Sequence, residues 1–191
     1  LNMNSMSITQ HIPPGKIDTL EESWIKEAQK NIQAFEKLYN ANYEAIYRYV
    51  YQRMDSMEDA TDVTAQVFMK AMTNIKKYKF MGFKFSSWLY RIAKSETYQF
   101  LKDKQKSPTL NVDTNSLGEI SEEIESTASI TNEDLIEVLN TLDDNELELV
   151  EMRYFEQRSF KEIGEILNMT ENNAKVKTHR VIKKMKKLNT N

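Results

Sequence analysis

The chain of 191 residues contains no cysteine, so neither a disulfide nor a thiolate metal site contributes to its stability or chemistry. Histidine occurs only at positions 11 and 179, and there is no glycine-rich phosphate loop and no HExxH pair. Enzymatic chemistry has little to work with, and the expectation is a protein without catalytic residues, metal or cofactor. Asp59 and Asp62 can be imagined as metal ligands, but a capped helix start accounts for acids there, because carboxylates are favoured at the positive end of the helix dipole. Only 4 glycines and 3 prolines are present. With Met, Leu, Lys, Glu and Asn abundant, this predicts an all-α chain. No apolar run approaches the roughly eighteen residues of a membrane span, and the first residues lack the basic-then-apolar order of a signal peptide. A cytoplasmic protein with no membrane insertion is therefore expected.

Charge is distributed in blocks. The formal net charge is −3, yet residues 70–106 carry ten basic and two acidic side chains, and residues 107–152 carry thirteen acidic and no basic ones. From Asn172 to Asn191 there are seven Lys or Arg and no acid. The fields of such blocks act over about a Debye length, roughly 8–10 Å, so a partner responds to the local sign and not to the total. Two basic blocks on either side of an acidic one suggest two contacts with a polyanion. The segment between them either avoids the polyanion or imitates it.

The stretch from Ser159 to Leu188 reads as two helices joined by a tight turn. Ser159 and Glu162 form a capping box, and Phe160, Ile163 and Leu167 follow on one face. Gly164 stands where a second helix must approach closely, Asn168 suits a left-handed turn, and Thr170 is a second N-cap. Ala174, Thr178, Val181, Met185 and Leu188 then form a buried stripe. This leaves Lys175, Val176, His179, Arg180 and Lys183 together on the outside. The pattern is that of a helix-turn-helix whose second helix is sized and charged for a DNA major groove. A basic amphipathic helix that merely ends a domain is the plainer alternative.

Four segments follow from the pattern along the chain. Residues 1–19 read as a disordered N-terminal extension. Residues 20–106 read as a helical domain. Its first stripe is Ile25, Ala28, Ile32, Phe35 and Tyr39, continued by Tyr43, Ile46, Tyr47, Val50 and Met54 after a break near Asn40. Ser56 caps the next helix, with Val63, Val67, Ala71 and Ile75 inward. A loop rich in lysine and aromatics follows, with Tyr78, Phe80, Phe83 and Phe85 around the hinge-like Gly82, and a helix begins at about Ser86. That helix turns Trp88, Leu89, Ile92, Ala93 and Phe100 inward and leaves Arg91, Lys94, Ser95, Tyr98 and Lys102 outside. Interleaved rings and cations are what single-stranded nucleic acid requires, rings to stack on unpaired bases and cations for phosphates; Trp88 and Phe85 suit a core equally well. Residues 107–131 have the composition of a flexible acidic linker, in which Leu117, Ile120 and Ile124 permit a short helix. Residues 132–191 form a second helical domain, with helices capped by Thr131 and by Asp143 or Asp144.

Three motifs in this order resemble the small two-domain extracytoplasmic-function group of bacterial RNA polymerase sigma factors. They are EDATDVTAQVFMKA at 58–71, SSWLYRIAKS at 86–95 and MRYFEQRSFKEIGEILNMTENNAKVKTHRV at 152–181, and the resemblance covers roughly residues 33–106 and 132–188. It implies a promoter-specificity subunit. Asp59, Asp62, Val63, Gln66 and Phe68 would dock on core RNA polymerase. Phe80, Phe83, Trp88, Arg91, Lys94, Ser95, Tyr98 and Lys102 would capture and help open the minus-10 element, and Lys175, Val176, Lys177, His179, Arg180 and Lys183 would read the minus-35 element. Gln66 stands where the family usually has an acid, Lys94-Ser95 replaces an Arg-Asn type of pair, and Lys175 and Lys177 replace common arginines. Lysine is a point charge without arginine's bidentate fork, so base readout shifts toward Arg180, His179 and shape.

The expected partners are core RNA polymerase, promoter DNA and an anti-sigma factor, with the free domains closed on one another or on that factor. The acidic linker would run along the polymerase's RNA-exit path. The rival is a polymerase-independent helix-turn-helix regulator with residues 20–106 as sensor or dimerisation domain, which leaves the 86–95 motif without a role.

Overall fold

The computed structural model describes residues 16–80, 83–105, 117–124 and 131–188. All regular elements among them are helical. An N-terminal unit contains α1 (Lys16–Lys30), α2 (Phe35–Tyr51), α3 (Met57–Asn74) and α4 (Phe85–Asp103). A C-terminal unit contains α5 (Gly118–Ile124), α6 (Asn132–Asn140), α7 (Asp144–Val150), α8 (Phe160–Ile166) and α9 (Glu171–Leu188).

Helix α1 begins at Lys16, inside the stretch read as a disordered extension, and most of that stretch lies outside the described residues. The first break in the chain is at Asn31 rather than near Asn40. Asn31 is extended (φ −134°, ψ 114°) and its side chain accepts the Gln33 N–H at 3.2 Å, which starts a new turn. No break occurs farther on because the Asn42 amide donates to the Leu38 carbonyl at 2.8 Å, so this polar side chain is satisfied inside α2. The change of axis turns Ile32 and Tyr39 outward, away from the expected stripe. Phe35, Ile46 and Val50 of that stripe face the core as expected, joined by Leu38 and Tyr49, against Ile25 and Ala28 of α1 and Val63, Val67 and Ala71 of α3.

The expected caps are in place. Ser56 accepts the Asp59 N–H at 3.1 Å, and Thr131 with Asp134, Asp143 with Glu146, and Ser159 with Glu162 form reciprocal capping boxes. Each such cap stabilises its helix by about 1 kcal/mol. Part of the segment read as a flexible linker is docked. Leu117, Ile120 and Ile124 are buried, and α5 packs on α9. Three apolar side chains at steps of three and four give even this short acidic helix a face worth burying. On α9 the stripe is Ala174, Thr178, Val181, Ile182 and Met185, whereas Leu188 is 42% exposed and stands outside it.

The turn between α8 and α9 has the geometry its residues suggested. Asn168 is left-handed (φ 54°), and Thr170 accepts the Asn173 N–H at 3.2 Å. A Cβ on Gly164 would lie 2.7 Å from the Met169 carbonyl oxygen and 3.1 Å from the Glu171 nitrogen. Gly164→Ala would gain helix propensity, but the overlap is with backbone and the turn must shift. We expect a net destabilisation of about 1–3 kcal/mol, read as a lower melting temperature by circular dichroism; an unchanged or higher value would mean that the turn is not tight.

Candidate nucleic-acid interface

Leu89, Ala93 and Leu101 fix one side of α4 in the N-terminal core. Trp88, Arg91, Ser95, Tyr98 and Lys102 follow one another at steps of three and four, so they form a single outward row with Lys94 beside it. Arg91, Lys94, Ser95, Tyr98 and Lys102 are exposed, while Trp88 is half-buried, 4.7 Å from the Tyr78 ring and 5.3 Å from the Phe85 ring. Phe85 is fully buried. Burial, with the Glu21 carboxylate adding to it, pushes the Tyr78 hydroxyl up to about 12, so the ring stays neutral. Phe80 and Phe83 are half-buried on either side of Met81 and Gly82; the expected hinge at Gly82 lies outside the described residues.

On α9, Lys175, Val176, Lys177, His179, Arg180 and Lys183 are all exposed. The Phe160 ring of α8 lies 6.0 Å from the His179 ring and carries the Arg153 guanidinium 4.9 Å above its own centroid. On α3 the outer side holds Asp59, Asp62 and Gln66, but Val63 is fully buried and Phe68 nearly so, against Tyr39 and Tyr43 at 4.7 and 6.0 Å. Val63 and Phe68 therefore hold α3 in the fold and present no surface to a partner. Met57, Met69 and Met72 are exposed along the same helix. Sequence reasoning passed over them, although Met69 follows Asp62 and Gln66 by seven and three residues and so shares their face.

Two stretches of the sequence match known family patterns: Sigma-70 region 2 over residues 38–107, and Sigma-70, region 4 over residues 138–187. The ECF RNA polymerase sigma factor SigW of Bacillus subtilis is 29% identical over 170 residues, which cover 82% of this chain and 89% of SigW. The chain belongs to the ECF sigma factors. Another relative is the ECF RNA polymerase sigma factor BldN of Streptomyces coelicolor, 25% identical over 159 residues; the match takes in 81% of this chain and 60% of the length of BldN. The fold is shared with CnrH, solved in complex with the cytosolic domain of CnrY (TM-score 0.62, 16% identity, 88% of this chain and 96% of that one). It is shared also with the sigma factor RpoE of Bartonella quintana, solved with the anti-sigma factor NepR (TM-score 0.55, 18% identity, 81% and 95%). As an alternative sigma factor, the protein directs transcription initiation by RNA polymerase.

In this sigma factor the two units are closed on each other through a row of acid–base pairs. Glu148, Glu151, Glu156, Glu162 and Glu165 come from the C-terminal unit, and Lys94, Arg53, Arg48, Lys84 and Arg91, respectively, come from the N-terminal unit. Arg48 donates twice to Glu156, at 2.9 and 3.1 Å, and the Tyr90 hydroxyl donates to the same carboxylate at 2.6 Å. Glu148 accepts from the Tyr49 hydroxyl at 3.0 Å and from Lys94 at 2.6 Å. Arg158 crosses in the other direction, donating to Ser86 at 3.2 Å with its guanidinium 4.5 Å over the Tyr90 ring. Closure of the domains on one another was one of the two arrangements expected from the sequence; these glutamates as its agents were not. Glu151 and Glu156 face the same way because a π-helical turn over Glu151–Phe155 extends α7, with the Glu156 N–H donating to the Glu151 carbonyl at 2.9 Å. Between the units a cleft of about 520 Å³ runs from Tyr78, Phe83, Trp88 and Arg91 to Gly164, Asn168 and Thr170 in the α8–α9 turn.

The acids are more buried than their bases, although Arg53 is itself largely enclosed, with 14% of its side chain exposed. Glu151 is 1% exposed as a side chain and Glu156 also 1%, whereas Arg48 retains 45%. Burial pushes the Glu151 carboxyl up to about 7, and Arg53 offsets only part of that because Glu148 and Glu156 lie near. Glu162 goes the other way: burial raises it, but Lys84 and the Ser159 capping bonds outweigh this and hold it at about 2. The sign follows directly. A carboxyl that burial raises from the ordinary 4.5 to about 7 holds its proton less tightly once water reaches it, so the closed form weakens as pH rises through that window. Glu162 stabilises closure above pH 4.5 and loses that effect only as pH falls toward 2. Interdomain energy transfer between dyes on the two units should therefore rise as pH is lowered from 7.5 to about 5.5, with Glu151→Gln flattening the response. An identical pH response in the wild type and Glu151→Gln would remove Glu151 as its source.

Proposed function

We propose that residues 20–106 bind core RNA polymerase and open the minus-10 region, while residues 132–191 anchor the upstream minus-35 duplex. The reading is carried by one juxtaposition: an outward row of rings and cations on α4 in the stretch matched by region 2, and an exposed basic row on α9 in the stretch matched by region 4. On α4, Trp88 and Tyr98 supply stacking surface for unpaired bases, and Arg91, Lys94 and Lys102 meet phosphates. On α9, Arg180 and His179 face base edges and Lys175, Lys177 and Lys183 set the register on the backbone. Asp59, Asp62 and Gln66, with Met69 alongside, form the polymerase-facing side of α3.

The closed form is the resting form in this reading. Arg91 and Lys94 are engaged by Glu165 and Glu148, so a minus-10 strand and the C-terminal glutamates compete for the same cations. An anti-sigma factor, of the kind seen with RpoE, would act by holding the two units off DNA. The protein works in the cytoplasm and brings no catalysis of its own; the polymerase makes the RNA.

In vitro transcription with core polymerase on a promoter pool tests the reading. New start sites that need this protein and share one upstream and one minus-10 motif are the expected result. Arg180→Ala should cost about 10–100-fold on those promoters, with relaxed preference at one upstream position, while Lys183→Ala should weaken upstream DNA binding evenly across sequences. No new starts, combined with tight duplex binding by the protein alone, would replace this reading with a polymerase-independent regulator.

A further inference from the structure

Helix α1 precedes residues 38–107, the stretch matched by region 2. Its polar side chains nonetheless reach both ends of the aromatic loop that leads into α4. The Gln29 amide donates to the Ile75 carbonyl at 3.1 Å and to the Tyr78 carbonyl at 2.8 Å, where the loop begins. The Glu21 carboxylate accepts the Phe85 N–H at 2.8 Å, where the loop ends. That second contact fills a gap in local chemistry. Lys84 occupies the N-cap position of α4 and its side chain makes no capping bond, so an acid from a helix 64 residues earlier takes over the cap. Ile25 and Ala28, both buried, fix α1 against the rest of the unit and thus fix both contacts in space. The loop they enclose carries Tyr78, Phe80 and Phe83, and its ends are joined by the contacts of Tyr78 with Phe85 and Trp88, at 5.4 and 4.7 Å.

We propose that Glu21 and Gln29 are positioning residues for promoter opening: α1 is a brace that sets the separation and orientation of the two loop ends, and so the place where an unpaired base is received. The proposal rests on the reading of this loop as the minus-10 element's binding surface. The brace acts through main-chain atoms at Ile75, Tyr78 and Phe85, so it holds the two loop ends without contributing a DNA contact. Loss of either contact leaves α1 docked by its apolar face and frees one end of the loop.

The test uses the full chain assembled with core polymerase. Opening of a duplex promoter is followed by a fluorescent base analogue in the minus-10 region, and core affinity is measured in parallel. Gln29→Glu keeps the size of the side chain but turns an acceptor toward two carbonyl oxygens; Glu21→Ala removes the cap, and Glu21→Gln retains an acceptor. Gln29→Glu and Glu21→Ala should each slow opening about tenfold, the scale expected for one lost hydrogen bond at a site that matters in the transition state. Core affinity should stay within about twofold, upstream duplex binding should be unchanged, and Glu21→Gln should recover most of the rate. Opening at the wild-type rate in both variants would overturn the brace, and so would a fall in core affinity matching the fall in opening, which would mark α1 as general scaffolding. A wild-type holoenzyme that leaves the promoter closed would instead overturn the assignment of the loop to opening, and the role of the brace with it.

Discussion

Five carboxylates of the C-terminal unit are withdrawn from water against the N-terminal unit, and a buried carboxylate without a partner costs on the order of 3–5 kcal/mol. That constraint organises the molecule. Arg48, Arg53, Lys84, Arg91 and Lys94 stand where those carboxylates need them; the Tyr49 hydroxyl satisfies the Glu148 oxygen that Lys94 does not reach, and the Tyr90 hydroxyl adds a second donor to a Glu156 oxygen already held by Arg48. The cations sit on α2, in the turn after it, and on α4 and its approach, so the C-terminal unit lies across the side of the N-terminal unit that bears the α4 row. Apolar burial holds each unit together; charge decides how the two units meet.

Much of the fold was legible because it depends on local rules. Ser56, Thr131, Asp143 and Ser159 cap helices in the sequence exactly as hydroxyl and carboxylate chemistry demands, and Gly164 with Asn168 announces a tight turn. The breaks that were misplaced depend on a competition the pattern does not display: Asn31 and Asn40 look alike until one asks which neighbouring polar group each region satisfies internally. Leu188 was assigned to the α9 stripe because a repeat was continued past the point where there is anything left to pack against. The α4 and α9 faces were legible for the same reason as the caps, since helical spacing alone puts Trp88 with Arg91 and Ser95, and Lys175 with His179 and Arg180.

The acidic side of the interface was not legible. Glu148, Glu151 and Glu156 interrupt an apolar run, and although Glu148 and Glu151 share a face, Glu156 five residues further on does not at 3.6 residues per turn. The π-helical turn over Glu151–Phe155 brings Glu156 round to them, and nothing in composition signals it. Charge counting hinted at the outcome, because an acidic block between two basic ones has to go somewhere. Val63 shows the opposite error: a residue carried by family resemblance into a surface list while its own spacing placed it in the core. Periodicity was the better guide there.

The unequal exposure within each interdomain pair has a kinetic consequence. Arg48, Lys84, Arg91 and Lys94 lie at the rim, reachable from solvent, while Arg53 is enclosed and the carboxylates lie beneath. An arriving phosphate chain can therefore engage a cation before the carboxylate behind it has rehydrated, and the pairs can be exchanged one at a time. Release by such a route is bimolecular and quickens with the concentration of nucleic acid, whereas spontaneous separation would have to break every pair at once and would not. The same arrangement lets a polyanion act on the closed protein without waiting for it to open.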